Sequence, residues 1–296
     1  MTDTTGSLQI TSVAGLLGSL ELERVDDGRF RAHPVPMNMH HVFGGQVLGQ
    51  GLVAAARTVE GPKTANSLHA YFLRAGDPDL PIEYAVGTVR DGRRMSTRSV
   101  SALQAGREIA TVICSFADTE GTITHAAPRP EVAAPEDTPT LADNAEAWGG
   151  LHEVWSGFQA VEVRMAPSAQ APEGGGLPAA PDLIWMRVRE ALPDDDLLHR
   201  ALLAYLSDIT LLAAALVAHG VPIGMERRGS RLWDGVSLDH ALWFHRPART
   251  DSWTLFVQES PVAHGGRALS RASIYSHDGE FVASSAQEGL ITDLRA

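Results

Sequence analysis

Three polar side chains in the second half of the chain are of the types needed to activate a water molecule. Asp208 interrupts the stretch "LLAYLSDITLLAAALVAHG", residues 202–220, which is otherwise almost entirely apolar. Ser237 opens "SLDHALWFHR", and Gln287 lies in "SSAQEG". A buried carboxylate is costly unless it is paired or used. If the three side chains converge, Asp208 can act as a general base while the hydroxyl and the amide hold the water.

The residues alone leave other roles open. Asp208 follows a serine within an apolar helical stretch and can equally mark a cap at a helix break. Asp239 and His240 suggest an Asp–His dyad, but adjacent residues on a strand point to opposite faces, which favours a structural role. The glycine-rich "GGQVLGQG" lacks the G-x-G-x-x-G spacing of a dinucleotide site and favours close packing of a helix.

Common signatures of other chemistries are missing from the sequence. It has no G-x-S-x-G elbow for a serine nucleophile, no Walker A loop, and no His or Cys spacing typical of a zinc site. The single cysteine, Cys114, lies in the apolar run "IATVICSF" and is predicted to be a core residue rather than a nucleophile. We therefore expect neither a metal ion nor a cofactor.

Composition narrows the class of partner and the compartment. The formal net charge of −12 argues against nucleic-acid binding, so an anionic ligand must be held by a local group of arginines. No run of about 18 apolar residues predicts a membrane helix. The N-terminus "MTDTTGSLQITS" has no basic segment followed by an apolar one, as a secretory signal would. We therefore expect a cytoplasmic protein without stable membrane insertion.

Two blocks of sequence, residues 67–116 and 237–289, follow the same plan. Each begins with Ser-Leu and an aromatic-rich strand, then continues through Ser-rich alternating strands joined by glycine turns. A helix is predicted before each block, at residues 44–59 and within residues 202–220. A helix followed by hairpin-linked strands indicates an α+β fold made of two tandem repeats.

The repeats divide the chain into three predicted parts. Residues 1–120 form the N-terminal repeat, and residues 181–296 form the C-terminal repeat. Residues 121–180 are a Pro/Ala/Gly-rich linker with a short strand in "FQAVEVRMA". The strand "LIWMRVREAL" opens the second repeat as "RFRAHPVP" opens the first.

Six motifs carry a resemblance to a known family. In chain order they are "HHVFGGQVLGQ", "HAYFLRAGD", "VRDGRRMSTRSV", "LAYLSD", "SLDHALWFHRP" and "SSAQEGLI". Together they resemble the type II acyl-CoA thioesterases, the TesB-like family, over about residues 16–291. The resemblance implies a double hotdog fold, in which two helix-in-antiparallel-sheet domains are fused in one chain. It also implies hydrolysis of fatty acyl-CoA to a free fatty acid and CoA, in fatty acid metabolism, without a cofactor.

The resemblance also implies roles for individual residues. Carried over by motif, the catalytic set is Asp208, Ser237 and Gln287. The first repeat carries a degenerate site, with Gln46 near the place of Asp208 and Ser115 near that of Gln287. The residues expected to bind substrate are Gly44, Gly45 and Gln46, which wall the pocket, and Arg93, which with Arg74 and Arg94 could contact the CoA phosphates.

Two other functions stay open beside the thioesterase. One is a hotdog hydratase acting on acyl thioesters, which uses a His and an Asp on a different motif. The other is a non-catalytic acyl-CoA or lipid-binding hotdog protein, which would lack one of the three polar residues. Because hotdog sheets often associate, we also expect a homo-oligomer, either a dimer or a tetramer.

Overall fold

The computed structural model describes residues 11–33, 35, 37, 39–118, 120–146, 149–166, 177–178, 180–224 and 233–293. The Pro/Gly-rich part of the expected linker, residues 167–176, and the N-terminal residues 1–10 lie outside this description. No described helix combines the length and the apolar character needed to span a bilayer.

The described helices are short and few compared with the strands. The α-helices are α1 (Val13–Leu20), α2 (Gly44–Ala56), α3 (Leu141–Glu146), α4 (Asp196–Ser207) and α5 (Ala214–Val217). Short 3₁₀ helices cover Pro135–Asp137 and Glu153–Phe158. The strands of the N-terminal part are β1 (Glu23–Asp26), β2 (Arg29–Ala32), β3 (Thr64–Phe72), β4 (Ile82–Asp91), β5 (Met95–Gln104) and β6 (Arg107–Ala117). Those of the C-terminal part are β7 (Val161–Met165), β8 (Asp182–Val188), β9 (Trp233–Ser237), β10 (Asp239–Phe244), β11 (Thr254–His264), β12 (Arg267–Ser276) and β13 (Phe281–Asp293).

In the described part of the chain the strands form one antiparallel sheet. Their order is β1-β2-β4-β5-β6-β3-β10-β13-β12-β11-β8-β7, with β9 paired to β13 beside this path. Buried and more exposed residues alternate along the strands, so that one face of the sheet is buried. In β5 every second residue, from Ser96 to Gln104, is buried. The predicted α+β class is confirmed.

The two halves of the sheet repeat the same local hydrogen bonds. After β3, the N–H groups of Leu73 and Arg74 both donate to the carbonyl of Ile109. After β10, the N–H groups of His245 and Arg246 both donate to the carbonyl of Val282. The strand order is also mirrored about the β3–β10 pair. Residues of the two halves can therefore be matched position by position.

The helices α2 and α4 pack against each other on the buried face of the sheet. Two glycines of α2 allow this close contact, because a Cβ on Gly45 would lie 2.6 Å from the carbonyl oxygen of Tyr205. A Cβ on Gly49 would lie 3.0 Å from that of Ala201. The helices are antiparallel, so the end of α4 lies beside the start of α2. The buried apolar side chains around them form one continuous core through both halves.

Helix boundaries differ from the predicted ones at the end of α4. The helix predicted at residues 44–59 is present as α2, ending three residues earlier. The apolar stretch at residues 202–220 is not one helix: α4 ends at Ser207, and a run of turns separates it from α5. Asp208 is the C-cap residue of α4, so the helix breaks at the carboxylate rather than enclosing it.

Candidate active site

A cavity of about 420 Å³ lies between the two halves of the sheet, and its lining is mostly apolar. The N-terminal half contributes residues from the start of α2 and the loop after β3. The C-terminal half contributes the turns after α4 and the strand β9. Lining residues include Val42, Gly44, Phe72, Arg74, Trp155, Phe158, Asp208, Leu212, Leu216 and Ser237. A mostly apolar pocket with a few polar groups is typical of a small-molecule site.

The position of Asp208 follows from the packing of α4 on α2. Its carboxylate accepts a hydrogen bond from the backbone N–H of Gly45 in the first turn of α2, where the helix dipole favours negative charge. A Cβ on Gly44 would lie 2.6 Å from Oδ2 of Asp208, so the glycine is what permits this approach. Asp208 therefore sits at a helix break, as a cap would, but its partner is a different helix.

Burial controls the charge of this carboxylate. The side chain of Asp208 is only 5% exposed, and burial raises its pKa to about 7, although hydrogen bonds from Gln287 and Gly45 act in the opposite direction. A carboxylate with a pKa near neutrality exchanges protons readily at physiological pH. The electrostatics of the site therefore suit Asp208 to take up and release a proton.

Gln287 joins the other two candidate residues. Its Nε2 donates to Oδ1 of Asp208 at 2.6 Å and to Oγ of Ser237 at 2.7 Å. The pairing of Gly289 with Ser237 across β13 and β9 sets this geometry. The predicted convergence of the three side chains is thus present.

The structure refines the part that Gln287 plays in this arrangement. Both amide hydrogens of Gln287 are used in the bonds to Asp208 and Ser237. Its side chain is fully buried and is not among the residues that line the cavity, whereas Asp208 and Ser237 both face it. Gln287 therefore holds the carboxylate and the hydroxyl from behind, and these two present their remaining hydrogen-bonding capacity to the cavity.

His240 and Asp239 point away from each other, as expected for neighbours on a strand. Asp239 accepts a hydrogen bond from the backbone N–H of Glu288, which is a structural role. The His240 ring is buried and lies on the side of Asp208, with Nδ1 3.7 Å from Oδ1 of the carboxylate. Sequence reasoning missed this contact, since it considered only the adjacent aspartate as a partner for the histidine.

The residues expected to bind substrate have different positions. Gly44 lines the cavity, and Gly45 contributes its N–H to Asp208. Gln46 is buried but borders a separate, much smaller pocket, so it does not wall the main cavity. Arg93 lies exposed in the turn between β4 and β5 and does not line the cavity either.

The strand register explains why Arg93 lies away from the cavity. Residues next to Arg93 pair with the end of β6 at Ala117, whereas the cavity is lined by its beginning, at Ile109 and Ala110. Among the described residues, the arginine that lines the cavity is Arg74, which is exposed and donates to the backbone carbonyl of Glu108. No periodic pattern in the sequence distinguishes it from Arg93.

The segment between the repeats also reaches the cavity. Val154, Trp155 and Phe158, in and beside a 3₁₀ helix, line it. Phe158 packs edge-on against Phe43 at 5.2 Å, which ties this segment to the start of α2. Sequence reasoning assigned these residues to a linker because of the Pro- and Gly-rich stretches on either side. The aromatic pair Trp155 and Phe158 was the signal that could have revealed a packed segment.

The matched register shows which residues of the first half occupy the places of the candidate residues. Ile109 corresponds to Val282, so Cys114 corresponds to Gln287, and Ser115, which was predicted to lie near that place, is its neighbour. The one-residue difference turns Ser115 to the other face of the sheet. Cys114 is fully buried, and burial raises the pKa of its thiol to about 12.

Comparison with known families identifies both halves of the chain. The model for the acyl-CoA thioesterase N-terminal domain matches residues 33–117, and that for the acyl-CoA thioesterase C-terminal domain matches residues 135–291. Acyl-CoA thioesterase 2 of Haemophilus influenzae is 36% identical over 281 residues, covering 93% of this chain and 96% of the relative. Human acyl-coenzyme A thioesterase 8 is 35% identical over 284 residues, covering 92% and 87%.

Solved structures agree with these matches. The acyl-CoA thioesterase II TesB2 of Mycobacterium marinum is similar with a TM-score of 0.77 and 38% identity, covering 94% of this chain and 97% of that one. A protein from Alicyclobacillus acidocaldarius described as having a hot dog fold has a TM-score of 0.73 at 20% identity, covering 93% and 97%, which supports the fold alone. The chain has an α+β hotdog fold and belongs to the acyl-CoA thioesterase family.

Proposed function

We propose that Asp208 is the general base with which this acyl-CoA thioesterase hydrolyses its substrate to a carboxylic acid and CoA. The observation that carries the proposal is the hydrogen-bonded set of Asp208, Gln287 and Ser237 at the wall of an apolar cavity. Asp208 and Ser237 together hold one water at the cavity. Gln287 keeps the two oxygens at the spacing that a bound water requires.

The chemistry needs one proton transfer in each direction. Asp208 takes a proton from the water, and the resulting hydroxide oxygen bonds to the thioester carbonyl carbon. The tetrahedral intermediate then collapses, the carbon–sulfur bond breaks, and the CoA thiolate takes the proton back from Asp208. Ser237 holds the water in line with the carbonyl carbon. Because the water is the nucleophile, no covalent enzyme intermediate is formed.

Two turns adjoin Asp208, the turn that follows α4 and the start of α2, and the start of α2 is the better placed to stabilise the oxyanion. In the turn after α4, the N–H groups of Asp208 and Ile209 are bonded to carbonyls of Tyr205 and Leu206. Gly44 lines the cavity as the first residue of α2, and its N–H has no acceptor within the described residues. A free N–H at a helix N-terminus suits a developing negative charge.

The remaining surface of the cavity fits the two parts of an acyl-CoA. The apolar walls, among them Trp155, Phe158 and Leu216, accept a fatty acyl chain. Arg74, exposed beside the cavity, is the arginine placed to contact a CoA phosphate. This assignment replaces Arg93 as the phosphate-binding residue.

We infer that the chain is a double hotdog with one active site. The mirrored strand order and the repeated hydrogen bonds after β3 and β10 support two fused domains. We keep residues 1–120 and 181–296 as the two repeats, with residues 121–180 between them. The first repeat has Cys114 at the place of Gln287, which supports a degenerate first site.

We also propose a homo-oligomer, a dimer or tetramer, in the cytoplasm. Large side chains exposed on the outer face near the centre of the sheet, Tyr71 and Trp243, support association between copies. A single cysteine, buried as a free thiol, fits a reducing compartment.

A thiol-release assay tests the function. The protein is incubated with acetyl-, octanoyl- and palmitoyl-CoA, and free CoA is followed with a thiol reagent. We expect release from at least one substrate, a loss of about a thousandfold in kcat for Asp208→Ala, and a smaller loss for Ser237→Ala. Asp234→Ala removes an exposed carboxylate from the same cavity and is the matched control.

Each outcome bears on the proposal in a different way. Thiol release by Asp208→Ala at the wild-type rate would exclude the assigned base. No release with any chain length, despite binding of acyl-CoA, would favour a non-catalytic binding protein. Hydration of an enoyl-CoA, with the thioester left intact and no thiol released, would favour the hydratase alternative.

A further inference from the structure

His240 lies in the buried layer directly behind the proposed base. It is on β10, its side chain is fully buried, and Nδ1 is 3.7 Å from Oδ1 of Asp208. On the other side of the ring, Nε2 is 2.9 Å from Oγ of Ser207. Burial lowers the pKa of His240 to about 3, so the ring is neutral and carries one N–H.

Which ring nitrogen carries that proton depends on the atom to which the Ser207 hydroxyl donates its hydrogen. Its hydroxyl lies 2.9 Å from the carbonyl oxygen of Ala204 and 2.9 Å from Nε2 of His240, and its one hydrogen can serve only one of them. If the hydroxyl donates to Nε2, the ring carries its proton on Nδ1. If Nδ1 were unprotonated, its lone pair would face Asp208, and electrostatic repulsion between this lone pair and the ionised carboxylate would disfavour that tautomer.

The internal repeat offers a comparison for this position. Counting back five residues from the matched pair Leu73 and His245 brings Leu68 into register with His240. Both side chains are buried, and they lie in equivalent pairs across the β3–β10 junction. Packing alone is thus satisfied by leucine here, and the histidine occurs in the half that carries Asp208.

We propose that His240 is a positioning residue for Asp208, with its neutral ring held at Nε2 by Ser207 and its Nδ1–H directed at the carboxylate. This inference rests on the proposed role of Asp208 as the base. The N–H dipole stabilises the ionised carboxylate and fixes the direction in which its second oxygen meets the water. The 3.7 Å spacing is longer than a hydrogen bond, and catalytic contacts commonly shorten when substrate binds.

Other polar and titratable groups also surround the Asp208 carboxylate or line its cavity. Gln287 and the Gly45 N–H donate to it from β13 and α2. Tyr205, on α4, has a buried hydroxyl whose pKa is raised by burial and by Asp208, so it is neutral. His41, Arg74 and Asp234 line the same cavity and carry or can carry charge. Of the titratable side chains in the described residues, His240 is the one that lies within ion-pair distance of the Asp208 carboxylate, at 3.7 Å.

Two substitutions of His240 separate positioning from packing. His240→Leu reproduces the residue of the first half and removes the N–H. His240→Asn places an amide N–H at the same number of bonds from the backbone as Nδ1. We expect His240→Leu to move the acidic limb of the kcat/KM profile up by about one pH unit and to lower kcat several-fold. We expect His240→Asn to return the acidic limb towards that of the wild type. His245 is an exposed histidine that directly follows the same strand, and we expect His245→Leu to leave the limb unchanged.

The outcomes distinguish this inference from the proposed function. If Asp208→Asn keeps the wild-type kcat, the proposed base is wrong. If Asp208→Asn is inactive while folded His240→Leu has the wild-type acidic limb, only the role of His240 is wrong. A purely structural role predicts loss of thermal stability, no shift of the limb, and no rescue by asparagine.

A measurement on the unmodified protein provides the second test. In protein labelled with ¹⁵N at histidine, His240→Asn assigns the His240 signals among those of the 12 histidines. Above the acidic limb we expect ¹⁵N shifts of a neutral ring protonated at Nδ1. A ring protonated at Nε2 under these conditions would overturn the inference, even if His240→Leu does not fold.

Discussion

Replacing the proposed base by its neutral isostere should stabilise the protein while abolishing its activity. Asp208→Asn keeps the shape of the side chain and removes a charge that is almost entirely buried. Gln287 can keep its bond to the new side chain, because the asparagine Oδ1 accepts from Nε2 of Gln287 as the carboxylate Oδ1 does. The bond from Gln287 to Ser237 is unaffected.

The size of the gain follows from the pKa of Asp208. Burial raises it from 3.8 to about 7, and each pH unit of difference between folded and unfolded states is worth about 1.4 kcal/mol. The buried charge thus costs about 4 kcal/mol of unfolding free energy at pH 8 and above. Because the folded state binds the proton more tightly, the cost is absent below about pH 4 and grows as the pH rises to about 7.

Thermal unfolding of both proteins at several pH values measures this effect. We expect Asp208→Asn and wild type to have similar Tm values at pH 4, and the variant to be higher by roughly 6 °C at pH 8. Asp234→Asn, at the same cavity but exposed, should show no such growing difference because its charge stays in water. A difference between Asp208→Asn and wild type that is the same at both pH values would refute the reasoning.

Two further predictions concern the cavity wall. Gly44→Ala should lower kcat by about a hundredfold, because the new Cβ would lie 2.6 Å from Oδ2 of Asp208 and displace the base. Gly51→Ala in the same helix is the control. Its Cβ would lie 3.4 Å from Cγ2 of Val112, an ordinary contact, so this variant should keep wild-type kinetics. Arg74→Ala should raise KM for acyl-CoA about tenfold with little change in kcat, whereas Arg93→Ala should change neither constant. If the two arginine variants have equal effects in steady-state assays, the proposed position of the CoA phosphates beside Arg74 is contradicted.

The main elements of the fold could be predicted from local patterns. The alternation in β5 and the glycine turns between strands indicated hairpins, and the helix at residues 44–59 is present as α2. The short strand β9, "WDGVS", was missed because aspartate and glycine are poor strand formers, and it is stabilised by pairing with β13. A helix break at Asp208 was one of two open interpretations, because the apolar composition continues on both sides, and the structure places the C-cap of α4 there.

The candidate site could be predicted in its membership but not in its arrangement. Residue types and family motifs selected Asp208, Ser237 and Gln287, and these side chains do meet. Arg93, Arg74 and Arg94 were all predicted to be able to contact the CoA phosphates, because residue type alone does not separate them. Only the tertiary structure shows that Arg74 lines the cavity and that Arg93 does not. The contact of His240 with Asp208 joins a strand to a helix end, and no sequence spacing encodes it.

The sequence by itself determined which side chains are available, the strand and helix periodicities, the internal repeat and the family. These depend on local preferences and on motifs whose residues are close together in the chain. Only the tertiary structure decided that Asp208 is buried against α2, that Gln287 bridges it to Ser237, and that His240 lies behind it. The proton affinity of a carboxyl group depends on the solvent it loses and the dipoles it gains, and here those come from elements far apart in the sequence.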